Sequence, residues 1–251
     1  MKRMGPGSKL LILMSICLLL LSGCWSRREL NFLAIVEGFG VDKDRSTGEV
    51  VASHQIIKPD VAKAGQGASE GGGSSGSPVW NLTARGKTFF DAIRKGSLQS
   101  PRRLYYGHNK IIVIGEEAAK GGISPYLDLA GRDPELRPGV WVFIARGTTA
   151  EEIINAQSVQ NPISSTVIDD MAKVSRASSY SAPIAIEDFL RILNSEPTAV
   201  YAPGIIIGER IKKDGQELVG FRLSGTAVFI DDKLIGWLDE EETRGLLWLL
   251  G

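Results

Sequence analysis

Gly72-Gly73-Ser74-Ser75-Gly76 spells the G-x-S-x-G pattern of serine hydrolases, whose serine must stand on a sharp turn between a core strand and a helix. Here the pattern lies in low-complexity sequence, which removes Ser74 as a nucleophile. Gly38-Phe39-Gly40 follows a strand-like run, yet the third glycine of a dinucleotide fingerprint is missing and a turn follows instead of a helix. Asp42, Asp44 and Ser46 imitate the start of a calcium loop, but Thr47 stands at the sharp-turn position and Ser53 at the twelfth, so a solvated hairpin tip is the better reading. His108 has no second histidine or cysteine nearby and is read as satisfying local hydrogen bonds. Arg132-Asp133-Pro134-Glu135-Leu136-Arg137 packs four charges into a short loop. Two readings stand for it: a loop held by its own ion pairs, or a docking surface for another protein. No paired-carboxylate, metal or nucleophile constellation remains, and the expectation is a protein that is not an enzyme and carries no cofactor.

Cys24 is different, because of what precedes it. Lys2, Arg3 and Lys9 lead into an apolar run from Leu10 to Leu21, broken only by Ser15 and followed by Ser22 and Gly23. This is the three-part layout of a signal peptide. Twelve residues at about 1.5 Å each span roughly 18 Å, short of the ~30 Å hydrocarbon core of a bilayer. Leu21-Ser22-Gly23-Cys24 resembles the bacterial lipobox, in which the cysteine thiol takes a diacylglyceryl group and the chain is cut just before it. Residues 1–23 are therefore read as a lipoprotein signal peptide and Cys24 as the lipidation site. Two acyl chains, at about 0.8 kcal/mol per buried methylene, anchor where one would not.

Composition agrees that the lipid must do the tethering. The 251 residues hold 29 Lys and Arg against 29 Asp and Glu. Without residues 1–23 the balance is 26 basic to 29 acidic, which favours neither an anionic membrane surface nor nucleic acid. The cysteines are Cys17 and Cys24 alone and the histidines His54 and His108 alone, too few for structural zinc or a disulfide scaffold.

The elements read as an α/β (α+β) fold, a mixed β-sheet layered with helices and closed by a C-terminal β-hairpin and helix. Leu33 to Asp42 and Glu49 to Ile57 predict a β-hairpin. Residues 64–78 hold six glycines and four serines and read as a flexible loop. Val79 to Arg85, Lys110 to Ile114 and Val140 to Ala145 read as strands. Helices alternate with them: Thr88 caps one to about Ser97, Glu116 to Lys120 stops at a Gly-Gly pair, Ser124-Pro125 opens one ending near Gly131, and Thr149 caps Ala150 to Ala156. Ser164 to Ser178 and Ile186 to Leu193 have apolar residues at helical spacing. Val200 to Ile207 is a strand, Thr226 to Leu238 a hairpin turning at Asp231-Asp232, and Asp239 to Leu250 a helix with an acidic first turn. A small subdomain is allowed near 198–238.

Cys24-Trp25-Ser26-Arg27-Arg28-Glu29-Leu30 is followed in order by Ala34-Ile35-Val36, Gly38 to Asp42, Gly107-His108-Asn109-Lys110, Arg132 to Arg137, Trp141, Gly225 to Phe229 and Gly236-Trp237-Leu238. Glu242, Arg244 and Gly245 to Trp248 complete the set. This ordered set resembles the C subunit of bacterial spore nutrient germinant receptors, the Ger(x)C family of germination lipoproteins, with Ser26 where that family commonly has Asp. The resemblance implies a non-catalytic subunit held by acylated Cys24 on the outer face of the spore inner membrane. Its partners would be membrane lipid and two integral membrane receptor subunits, with no small-molecule ligand on this subunit and no nucleic acid. The docking residues it points to are Arg27, Arg28, Glu29, Arg132, Asp133, Glu135 and Arg137. Residues 24–251 correspond to the family's N-terminal domain, and its usual C-terminal domain is expected to be absent. Two other readings stand beside it: a solute-binding lipoprotein, which should show two similar lobes, and a truncated, non-functional germination subunit.

Overall fold

The computed structural model describes residues 5–7, 14–15, 32–58, 77–175, 180–195, 199–213 and 215–250. The chain divides into two units, residues 1–33 and 34–251. In the first, residues 6–7 and 14–15 are helical. Cys24, Arg27, Arg28, Glu29 and Ser74 lie outside the described residues, as does the Gly/Ser-rich stretch 64–78 except for its last two positions.

The second unit is organised by one mixed sheet. Its strands are β1 (Leu33–Lys43), β2 (Val50–Ile57), β3 (Val79–Gly86), β4 (Arg103–Tyr105), β5 (Ile111–Gly115), β6 (Trp141–Ala145), β7 (Ile184–Ala185), β8 (Val200–Lys213), β9 (Gln216–Ile230) and β10 (Lys233–Leu238). The order across the sheet is β10-β9-β8-β6-β5-β1-β2-β3, with β4 on β1 and β7 on β6. Neighbouring strands among β1, β5, β6 and β8 pair parallel, while the hairpins β2–β3 and β9–β10 extend the sheet antiparallel on either side. The 198–238 stretch thus adds three strands to this same sheet.

Parallel strands need crossover connections, and these supply helices to both faces. Ile111-Ile112-Val113-Ile114 of β5 is buried throughout because alternate side chains meet different layers. Ile112 and Ile114 join Phe39, Val142, Ile144, Phe89, Leu127, Phe189 and Phe229 in the larger core. That layer contains α1 (Phe89–Gln99), α2 (Glu116–Gly121), α3 (Ser124–Arg132) and α6 (Ile186–Leu193). Ile111 and Val113 face the other way, onto Phe143, Ala145, Ile153, Ile154 and Ile168 of a smaller core. Its helices are α4 (Ala150–Asn155) and α5 (Ser164–Ser175).

Local chemistry sets the helix starts where the sequence places them. Thr88 accepts from the Asp91 backbone at the head of α1. Thr149 and Glu152 form a reciprocal capping box on α4. Asp239 and Glu242 exchange backbone-to-carboxylate bonds of 2.9 and 2.8 Å at the start of α7 (Glu240–Leu250). The smaller core depends on two glycines. A Cβ on Gly38 would run into Ser165 of α5, and one on Gly40 would come within 3.0 Å of Ala150 in α4. The Gly38-Phe39-Gly40 pair is a helix-packing surface, consistent with the sequence reading that phosphate is not cradled there.

β8 and β9 run well past the segments expected of them. Residues 208–213 and 216–225, unassigned from sequence, form a long two-stranded arm, and the β8–β9 pairing shifts register at Pro203/Ile205 and Ile207/Arg210. Phe221 and Leu223 of this arm pack on the smaller core together with Ile205 and Ile207 of β8. The arm is also fastened to the segment after α4, where Val219 N–H donates to Gln157 and Val159 N–H to Val219. The short strands β4 and β7 also lie outside the segments that read as strands from sequence.

Candidate functional site

The charged loop that follows α3 is built largely by its own contacts. Arg132 Nε donates to Asp128 Oδ1 at 2.8 Å, one turn back on the helix. Asp133 Oδ1 accepts from the Glu135 backbone at 2.9 Å, and Glu135 pairs with Arg103 of β4 at 2.5 Å. Leu136 turns inward onto the larger core. Ion pairs and a turn therefore fix the loop, while the Arg132 side chain remains 78% exposed. Exposed pairs of this kind contribute little to stability, at most about 1 kcal/mol each. Their constraint on loop shape leaves Arg132 and Arg137 displayed at the surface, Arg137 being exposed as well.

Behind this loop lies a buried pair that sequence reasoning missed. His54 of β2 is fully buried, its Nε2 3.0 Å from the Tyr106 hydroxyl. Burial lowers the imidazole to about 4, only partly offset by the Leu82 backbone. The same desolvation raises the Tyr106 phenol, and the nearby carboxylates of Asp133 and Glu135 add to the rise. Phe39 lies against both rings, at centroid distances of 6.4 and 5.9 Å. His108, by contrast, is exposed, with its ring edge-on to Tyr105 at 6.1 Å.

Several motif residues serve to clamp α5. Lys110 Nζ donates to Glu37 Oε2 and Thr166 Oγ1, both at 3.0 Å, and Thr166 in turn donates to Glu37. Trp141 Nε1 donates to Asp169 Oδ1 at 3.0 Å, and Asp169 is held from its other oxygen by Lys173. Gln55, fully buried, uses its amide on Ile154 and Ser164 and accepts from the Ser165 backbone. A buried polar group is costly unless bonded, so these contacts specify where α5 sits as well as stabilising it.

At the carboxyl ends of β1, β5 and β6, the place where parallel sheets commonly bind ligands, there is a polar cleft of about 590 Å³. Its groups mostly satisfy one another. Asp42 accepts from the Ala150 and Glu151 backbones at 2.8 Å each, although burial still leaves its carboxyl above the usual range. Asp44 closes the β1–β2 turn onto Ser46 and Thr47 and pairs with Arg85 at 3.0 Å, the role of a hairpin tip. Glu117 is lowered to about 2, chiefly by Arg45, with Lys120 assisting. Among the described residues, no group of three or more His, Cys, Asp or Glu side chains could hold a metal ion. Also among them, no helix is long and apolar enough to cross a membrane.

What emerges is a layered α/β domain whose distinctive sequence motifs are spent on helix clamping and on a shaped charged loop. Comparison with known proteins then places it. Residues 26–207 match the family model described as the spore germination protein N-terminal domain. Residues 224–251 match the model described as spore germination B3/GerAC-like, C-terminal. The chain therefore belongs to the GerAC-like family of spore germination proteins. Among its relatives in Bacillus subtilis (strain 168), spore germination protein KC is 32% identical over 255 residues, covering 96% of this chain and 61% of its own. Spore germination protein B3 is 27% identical over 241 residues, covering 95% and 60%. Spore germination protein A3 is 29% identical over 161 residues, covering 63% and 41%. The chain spans about three fifths of the length of the first two. No solved structure matches it.

Proposed function

We propose that this protein is a lipid-anchored, non-catalytic subunit of a spore germinant receptor, needed for nutrient-triggered germination. Acylated Cys24 holds it on the outer face of the spore inner membrane. Two integral membrane receptor subunits are its partners, and no small-molecule ligand binds this subunit. The observation that carries the reading is the family match over residues 26–207, which begins two residues after the lipobox-like cysteine. The relatives' names, all spore germination proteins, support the germination role. The surface chemistry is compatible with docking: the charged loop presents Arg132 and Arg137 on a frame fixed by Asp133 and Glu135. Cleft groups that are already paired among themselves leave little for a substrate to engage.

The test is a strain in which Cys24→Ala replaces the wild-type chain. Membrane fractions of that strain should lose the protein, and germination in response to nutrient should slow, while germination by a trigger that bypasses nutrient sensing stays normal. Full retention of the variant in detergent-free membranes would sink the lipid anchor. Normal nutrient germination in a strain lacking the whole protein would sink the receptor role.

A further inference from the structure

β3 is the outermost strand at its end of the sheet, and no described strand pairs with its outer edge. The phase of the β2–β3 ladder tells which groups stand there. Lys58 N–H donates to the Pro78 carbonyl at 2.8 Å, and the pairing runs on from Ile57↔Val79 to Val50↔Gly86 without a shift. Hydrogen-bonded and non-bonded pairs alternate along an antiparallel ladder, so Trp80, Leu82, Ala84 and Gly86 bond to β2. The N–H and C=O groups of Asn81, Thr83 and Arg85 therefore point out of the sheet, and among the described residues nothing bonds to them. Native edge strands are commonly blunted by a bulge, a proline, added charge or shortness. β10, the strand at the other end, is six residues long and its pairing shifts register at Leu234/Gly236. β3 has eight residues, no proline and no bulge, and its one charged side chain, Arg85, is drawn to Asp44 at 3.0 Å.

Turned about a two-fold axis at Leu82, this strand complements itself. Leu82 meets Leu82 of the second copy, Trp80 stands beside its small Ala84, and Asn81 faces its Thr83. Asn81 and Thr83 both present their backbone groups outward, so they form the hydrogen-bonded pair that an antiparallel ladder requires. Arg85 falls opposite Val79 of the second copy, and like charges do not meet. Asn81 Oδ1 is buried with no hydrogen-bond partner, and the facing Thr83 hydroxyl is a donor for it. α1 obeys the same symmetry. A Cβ on Gly96 would lie 3.1 Å from Leu82 Cδ2, 3.5 Å from Ala84 Cβ and 3.9 Å from His54 Cε1, so the helix rides over both β3 and β2. Strands are spaced by about 4.8 Å, and a helix axis lying between these two stands about 5 Å from the two-fold axis. Two copies of α1 then lie about 10 Å apart, a helix-packing distance. Phe90, 55% exposed beneath Arg94, and Leu98, 87% exposed, are apolar side chains left on α1 to fill that seam. We propose that β3 pairs antiparallel with β3 of a second copy, making the protein a two-fold homodimer through one continuous sheet.

Sedimentation and residue-resolved hydrogen exchange test the pairing on residues 24–251 carrying Cys24→Ser, which contain the whole compact unit 34–251 and need no lipid. As concentration rises from micromolar to millimolar the protein should pass from monomer to dimer. The amides of Asn81, Thr83 and Arg85 should then exchange more slowly by roughly tenfold or more, while those of Trp80, Leu82 and Ala84, bonded to β2 in either state, stay protected throughout. Thr83→Pro removes an outward N–H and spares the ladder to β2, so it should hold the protein monomeric with its circular dichroism unchanged. If that variant does not fold, the exchange pattern of the parent decides alone. A protein still monomeric at millimolar concentration overturns the proposal. A dimer in which the three amides keep exchanging fast also overturns it, by placing the contact on another surface. Slow exchange of the same amides in the monomer overturns it as well, by making the protein's own residues the cover of this edge.

Discussion

Gly38→Ala is the sharpest perturbation of the fold that presents the motif residues. The new methyl would overlap Ser165 Oγ, well inside the van der Waals distance, and lie 2.9 Å from Ser165 Cβ and 3.0 Å from Ile111 Cγ1. In an unhindered strand, alanine for glycine stabilises by about 0.5 to 1 kcal/mol. Overpacking a filled core costs about 1 to 3 kcal/mol. The clash outweighs the backbone gain, for a net loss of about 1 to 2 kcal/mol, or roughly 2 to 8 °C in the melting midpoint of a domain this size. Ser165→Gly should cost only about 0.5 kcal/mol of helix propensity, because the Ser165 hydroxyl is buried without a partner and no hydrogen bond is lost with it. In the double variant the methyl introduced at position 38 fills the vacated space, so the two changes couple by about 1 to 2 kcal/mol. The assay is urea unfolding of residues 24–251 carrying Cys24→Ser, read by circular dichroism at constant denaturant slope. Strict additivity, or a Gly38→Ala protein as stable as its parent, would refute the close approach of α5 to β1. A phosphate-cradling role for Gly38 predicts that second outcome.

Other consequences are accessible to the same protein. His54 titrates near 6.5 when unfolded and at about 4 when folded, so the unfolded chain binds its proton first and stability falls as pH drops from about 7 to 4. The loss attributable to this residue is about 3 kcal/mol, seen as the difference in pH dependence between wild type and His54→Gln. Asp42, whose raised carboxyl acts with the opposite sign, is common to both and cancels; identical pH profiles would contradict the account. Lys110→Met removes two hydrogen bonds and leaves Glu37, 11% exposed in its side chain, with Thr166 alone. Because the lysine side chain is itself 31% exposed, the expected loss is about 1 to 3 kcal/mol by thermal melting, and no change would remove the clamp on α5. Arg132→Glu with Arg137→Glu should alter stability by no more than about 0.5 kcal/mol while weakening co-purification with the receptor subunits. Undiminished co-purification takes this loop out of the docking surface.

Most of the sheet was legible because its signals are local. Thr88 and Thr149 announce helix starts by their own chemistry, and KIIVI and VWVFIA can only be central strands. Ile186 to Leu193 is helical over the expected residues. The arm over 208–213 and 216–225 escaped because Gly208, Gly220 and a run of charges break the apolar alternation that marks a strand. What holds it is the segment after α4, about sixty residues away in sequence. The buried polar residues were illegible for a similar reason. Glu37, His54 and Gln55 look like surface residues of a hairpin until Lys110, Tyr106 and Ser164 are brought to them across separations of 73, 52 and 109 residues. Lys110 and Trp141 stand out in the sequence through the family resemblance alone, and the structure gives them a physical task. The charged loop admitted two readings from sequence; its ion pairs are now visible, and docking rests on the surface they leave exposed.

The most direct measurement is affinity isolation of the tagged full-length chain from dormant-spore membranes, with mass spectrometry of its N-terminal peptide and of the proteins that accompany it. The account predicts a peptide beginning at diacylglyceryl-modified Cys24, together with two integral membrane receptor subunits in fixed ratio. An unmodified cysteine in a soluble fraction, or an acylated chain that arrives without those subunits, would contradict it.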